Sequence, residues 1–118
     1  MTTQTNREIR PNLQAHDEAQ QVEMFPGVVR RTLNAGERTS IHEIEIAAGG
    51  CVPMHTHPHE QIGYLVSGRV KFELGDETKE LSAGDSWIIP SAVPHEVTAL
   101  EDSVALDIFS PAREEFIP

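Results

Sequence analysis

Seven side chains in this 118-residue chain have types and spacings that could do chemistry together: His55, His57, Gln61, His95, Asp107, Phe109 and Arg113. His55 and His57 lie two apart, so on a strand they point the same way with Cα atoms about 6.6 Å apart. Imidazole nitrogens at that separation converge on one ion at about 2.0–2.1 Å. Gln61 follows beyond Pro58. Its amide oxygen either completes the ligand set or supports the ligands from behind, with water in the fourth position. His95 opens a further segment forty residues after His55, where a closed sheet returns the chain to the same point. Three imidazoles and one oxygen suit one divalent transition metal (Zn, Ni, Mn or Fe) and leave coordination positions open for a small molecule.

Asp107 and Phe109 share one face of the run Val104–Phe109, with Val104, Leu106 and Ile108 on the other. The pair therefore points away from a continuous apolar face, either into a barrel mouth or to solvent. At a cavity the pair would be an acid or base beside an apolar wall. Arg113 follows just past Ser110-Pro111, where the chain bends back over the opening. The plainer alternative for Asp107 and Arg113 is a surface ion pair.

The elements that must position these groups are short strands separated by turns. Residues 69–74 alternate strictly, with Val70, Phe72 and Leu74 on one face. Ser40–Ala48 sets His42, Ile44 and Ile46 on one face, which predicts a buried, hydrogen-bonded His42. Residues 62–67, 78–81, 86–89, 95–100 and 103–109 complete the strands, and 111–117 offers one helical turn. Eight Gly and eight Pro, mostly between these runs, fit an all-β chain. Residues 1–24 are polar and weakly patterned, which predicts an N-terminal arm or exchanged strand ahead of a single domain over 25–118. His59 is expected in a loop at the pocket rim because Pro58 breaks the alternation. His16 belongs to the arm, Cys51 packs as a small apolar residue, and Tyr64 and Trp87 are expected as barrel wall, with either able to line the pocket.

Composition bounds the function by exclusion. Nine Lys and Arg against nineteen Asp and Glu leave a net charge of −10, which argues against nucleic acid as a partner. The length suits one hydrophobic core. No apolar run approaches the ~20 residues of a membrane helix, and residues 1–7 lack the apolar core of a secretory signal. The lone Cys51 excludes an internal disulfide and a CxxC pair. A cytoplasmic protein without a membrane partner is the expectation.

The stretch from Gly49 through His55, His57 and Gln61 to Gly68 resembles the first cupin motif, G-x5-H-x-H-x3-E-x6-G. The stretch from Gly84 through Pro90 and Ala92 to His95 resembles the second, G-x5-P-x-G-x2-H. This resemblance covers about residues 25 to 110. It implies an all-β fold, the cupin double-stranded β-barrel (jelly roll), with the metal held inside by His55, His57, Gln61 and His95. Gln61 stands where most cupins have Glu, Ala92 where a turn Gly is usual, and Ala99 where a late Asn is usual. A neutral amide at 61 leaves the ion's full charge unreduced, a stronger Lewis acid suited to an anionic ligand. The ending Asp107-Ile-Phe109-Ser-Pro-Ala-Arg113-Glu-Glu-Phe116, with His-Pro-His-Glu-Gln-Ile-Gly-Tyr, resembles the KdgF-type pectin-degradation cupins. That resemblance implies Asp107, Phe109 and Arg113 as active-site residues and an anionic sugar acid as substrate. The implied reaction opens 4,5-unsaturated uronates to linear keto acids. The alternatives are an Fe(II) cupin dioxygenase, against which the neutral Gln61 speaks, and a non-catalytic small-molecule-binding cupin. By the same resemblance a homodimer is expected, with the N-terminal arm as the candidate exchanged segment.

Overall fold

The computed structural model describes residues 7–118, which form two antiparallel sheets. The strands are β1 (Gln21–Phe25), β2 (Val28–Ala35), β3 (Ser40–Ile46), β4 (Cys51–His55), β5 (Glu60–Ser67), β6 (Arg69–Leu74), β7 (Glu77–Ser82), β8 (Ser86–Ile89), β9 (His95–Ala99) and β10 (Ser103–Ser110). The larger sheet runs β1-β2-β3-β10-β5-β8 and the smaller β4-β9-β6-β7. Short 3-10 turns at His16–Glu18 and Glu114–Phe116 are the helical segments among the described residues. None is long and apolar enough to cross a membrane.

Period-two alternation sorts each strand into an inner and an outer face. His42, Ile44 and Ile46 of β3, Leu65 of β5, Val70 and Phe72 of β6 and Ile89 of β8 point inward and are buried. The core sits between the sheets, and its open end faces the metal-type side chains. Outer positions of the larger sheet are also apolar: Ile62, Tyr64, Val66, Ile88 and Ile108 are 39–51% exposed.

Two elements depart from the sequence expectation. β1 begins inside the expected arm and pairs antiparallel with this chain's own β2. The interval before it is tied down in places, Arg7 donating to Gly36 O at 3.0 Å and Asn34 to Asn12 O at 3.2 Å. Residues 1–6 of the expected arm lie outside the described residues. β2 went unread because its inward positions, Val28, Arg30 and Thr32, oppose Ile46, Ile44 and His42. Two of its three inward side chains are polar, which erases the alternation in hydrophobicity that marks a half-buried strand.

After β10 the chain turns at Pro111, and residues 112–117 return across the open end as a strap. His42 is fully buried beneath it, at 0% exposure. Burial, reinforced by the charges of Arg30 and Arg113, pushes its imidazole down from 6.5 to about 4. The native ring stays neutral where the unfolded chain takes up a proton. Its contribution to stability is therefore whole above pH 6.5 and is lost as pH falls toward 4. In a ¹⁵N titration the His42 ring keeps the neutral pattern from pH 8 to about 5. His16, raised by its hydrogen bond to Glu43, titrates above 6.5 in the same experiment. A His42 that protonates near 6.5 would contradict the buried placement.

Candidate metal centre and its cavity

His55 ends β4 and faces His95, the first residue of β9, directly across the pair. Their ring centroids are 4.2 Å apart. His57 is not on the strand with His55, as its spacing suggested. β4 stops at His55, and His57 reaches the same point from the connection to β5. That connection is held where Ala92 N–H donates to His57 O at 2.9 Å. Ala92 itself has a φ of 66°, the left-handed backbone that explains why Gly is usual at this motif position.

Each imidazole hydrogen-bonds through Nδ1 to a backbone carbonyl. His55 bonds Pro53 O at 2.7 Å, His57 bonds His59 O at 3.1 Å and His95 bonds Val93 O at 2.9 Å. A carbonyl only accepts, so Nδ1 carries the proton in all three rings and every Nε2 presents a bare lone pair. Burial lowers the pKa of His57 and brings that of His95 to about 4, which keeps these rings neutral. One ligand atom from each of His55, His57 and His95 lies within 4.8 Å of the others. His95 Nε2 is buried with no hydrogen-bond partner.

Gln61 enters from β5. Its Nε2 donates to Asp107 Oδ1 at 2.8 Å, which aims Oε1 at His57 Nε2, 2.9 Å away. Neutral His57 has one proton and two acceptor neighbours, so two lone pairs face each other across that gap. A cation between them resolves the conflict. Two donors ~2.1 Å from one ion and at right angles would be ~3.0 Å apart. The donor set therefore fits a divalent ion, with the three imidazoles able to hold it.

Asp107 is buried on the inner face of β10, opposite His42 on one side and Gly63 on the other. The sheet thus turns the Val104, Leu106 and Ile108 face outward and puts Asp107 and Phe109 inside. Asp107 Oδ1 accepts from Gln61 Nε2 and, at 2.9 Å, from Trp87 Nε1. Burial raises the carboxyl above its usual range, opposed by those two hydrogen bonds and by the charge of Arg113. Asp107 and Arg113 are not a surface ion pair, because Arg113 Nε instead donates to Glu115 Oε1 at 2.7 Å.

Trp87 lines the cavity, as one reading of the sequence allows, but its bond to Asp107 and the need for Gly63 are what sequence reasoning missed here. In register, Gly63 lies between Asp107 and Trp87. A Cβ at 63 would collide with the Trp87 indole and the Asp107 carboxyl. Glycine is required so that indole and carboxylate can meet across it. Gly63→Ala is expected to cost about 1–3 kcal/mol by overpacking and to break the indole–carboxylate bond. Thermal melting and Trp87 fluorescence would check this, and a wild-type melting temperature and emission would contradict it. The signal was invisible in one dimension because it depends on strand register.

The cavity measures about 440 Å³, within the range of small-molecule sites. His55, His95, Gln61, Asp107, Phe109 and Arg113 line it together. Phe109 packs edge-on to His57 with ring centroids 5.4 Å apart, and the Arg113 guanidinium lies 4.8 Å from the Phe109 ring centre. His59 is buried rather than at the rim, its ring 5.9 Å from Phe109. Cys51 is partly buried and accepts a weak bond from Thr98.

Residues 42–109 match the family described as a cupin domain. The chain is 29% identical over 103 residues to the pectin degradation protein KdgF of Dickeya dadantii, covering 86% of this chain and 94% of that one. The solved structure of KdgF from a Halomonas species superposes with a TM-score of 0.85 at 31% identity, over 90% of this chain and all of the other. A cupin described as RmlC-like from Shewanella frigidimarina gives a TM-score of 0.86 at 27% identity, over 92% of this chain and 97% of that one.

Proposed function

The chain belongs to the cupin domain family, and from that premise we propose that it is a metal-dependent isomerase that opens 4,5-unsaturated uronates to linear keto acids. The observation that carries this reading is the shared cavity. A buried carboxyl with one oxygen held by Gln61 and Trp87 lines one cavity with the convergent imidazoles and an arginine. The likeness to KdgF proteins supports the substrate class.

His55, His57, His95 and Gln61 would hold one divalent ion, which supplies Lewis-acid polarisation of the substrate's oxygens. Asp107 Oδ1 is committed to Gln61 and Trp87, which leaves Oδ2 to the substrate. Asp107 takes the proton of the anomeric hydroxyl as the ring C–O bond breaks, giving an aldehyde and an enolate. It returns that proton to the neighbouring carbon as the enolate becomes a ketone, so no proton is gained or lost overall. A carboxyl raised by burial suits both halves of that exchange. Arg113 pairs with the substrate carboxylate through its planar donor fork. Phe109 packs on the sugar ring and excludes water.

Positive charge concentrated in one place explains how a chain of net charge −10 would take an anion. A neutral ligand set favours Lewis-acid chemistry with an anionic ligand over the oxidation of an iron centre, and so the isomerase over a dioxygenase. The deciding experiment is to supply the metal-replete protein with 4,5-unsaturated galacturonate and follow loss of the enol ether absorbance. Loss well above the spontaneous rate is expected. Binding without acceleration would turn the reading into that of a binding cupin.

A second copy of the chain is the proposed partner of the outer face of the larger sheet. Five large apolar side chains lie exposed there on the adjacent strands β5, β8 and β10, and an apolar sheet face of that kind marks an interaction surface. Sedimentation at micromolar concentration tests it, and a monomer would remove it.

A further inference from the structure

We infer that His42, which does not line the cavity, is a positioning residue that sets Arg113 for reading the ligand's carboxylate through Ser40 and fixes the Phe116 end of the strap through Thr32. The inference rests on the assignment of Arg113 to that carboxylate. It follows from a hydrogen-bond chain whose direction has one solution. Thr32 Oγ1 donates to Phe116 O at 2.7 Å, and a carbonyl only accepts, so the Thr32 proton is committed there. The 2.9 Å contact between Thr32 Oγ1 and His42 Nδ1 must then run from the ring nitrogen to the hydroxyl. With its proton on Nδ1, the neutral ring only accepts at Nε2, and the Ser40 hydroxyl 2.7 Å away is the donor. The remaining lone pairs of Ser40 Oγ take the backbone N–H of Arg113 at 2.9 Å.

The chain therefore runs Arg113 N–H to Ser40, Ser40 to His42, His42 to Thr32 and Thr32 to Phe116 O. It grips the strap at two backbone atoms, one just before the turn Glu114–Phe116 and one at its last residue. The same ring lies edge-on to Phe109 and Phe116, at centroid distances of 5.4 and 5.5 Å. Those two aromatics carry the Arg113 guanidinium, 4.8 and 4.1 Å from their ring centres. Arg30 braces Phe116 as well, 4.0 Å from its centre. The Phe116 ring thus packs against both guanidiniums. Its position fixes that of Arg113. An apolar side chain at 42 would fill the space with less desolvation cost; what the polar chain adds is a single geometry for the strap.

The test compares 4,5-unsaturated galacturonate with its methyl ester on the metal-replete protein. Ser40→Ala severs the arm to Arg113. Thr32→Val, nearly isosteric, severs the arm to Phe116. Each is expected to raise KM for the acid roughly tenfold, the weight of about one hydrogen bond. The kcat, the KM for the ester and the metal content should stay within about twofold of wild type. Ser40→Thr, which keeps the hydroxyl, should restore the preference for the acid. A general loss of structure would move acid and ester alike and would overturn the inference. So would an unchanged acid preference in both variants while Arg113→Gln abolishes it. An unchanged preference in Arg113→Gln would overturn the assignment of Arg113 itself.

Discussion

Asp107→Asn keeps its metal and loses turnover by about 10²-fold or more. The wild-type carboxylate accepts two hydrogen bonds at Oδ1, from Gln61 and Trp87. Asparagine offers an oxygen to the same two donors and turns its NH₂ toward the substrate, so the side chain stays in place and only the basic oxygen is lost. Gln61 remains oriented, and Oε1 still faces His57 Nε2. Elemental analysis should find the same metal per chain in the variant and the wild type, while kcat on 4,5-unsaturated galacturonate collapses. Unchanged turnover would sink the assignment of Asp107. Loss of metal along with turnover would mean that its task is to hold Gln61. The pH profile gives a second view. Burial lifts Asp107 above the ordinary 3.8, and only the ionised form can take a proton. The acid limb of kcat/KM should thus fall above the ordinary carboxylate range and vanish in the variant.

His95→Ala empties the metal centre and removes activity with it. His95 Nε2 is buried and has no hydrogen-bond partner. Burial brings the ring to about 4, so the imidazole is neutral and ready to ligate throughout the neutral range. Truncation removes one of three imidazole donors, and affinity should fall by more than the ~10–100-fold that loss of an outer partner costs. Stability reports the same event without an assay of turnover. An ion present at ~100 times its Kd stabilises the native state by about 2.7 kcal/mol. For a chain of this size that is on the order of 10 °C in melting temperature. Chelation should lower the wild-type melting temperature by about that much and leave His95→Ala unmoved. A wild type that melts identically with and without chelator would count against the centre.

Much of the site was legible one residue at a time. The two-residue spacing of His55 and His57, the delayed Gln61 and the distant His95 point to convergence. The alternations along 40–46 and 69–74 place their inner faces correctly. His57 departs from its spacing, which suggests a shared strand face. The strand in fact ends at His55, and the loop pinned at Ala92 delivers the second imidazole. β2 carries no local signal, because Arg30 and Thr32 occupy the inner positions where apolar side chains would have marked a strand. Those polar residues face the strap, not the core, and no local pattern announces a strap.

Sequence alone therefore determined which donors exist, and that an acid and an aromatic lie opposite an apolar stripe on the last strand. These are consequences of backbone period and side-chain chemistry, which act over a few residues. Only the tertiary structure decided which side of that strand is the interior. Val104, Leu106 and Ile108 look like the core face, yet the neighbours on β3 and β5 put Asp107 and Phe109 inside. The same holds for the Trp87–Asp107 bond across Gly63 and for the chain of hydrogen bonds from Arg113 through His42 to Phe116. Each depends on register between strands far apart in sequence, where the interaction is made by residues that have no local reason to meet.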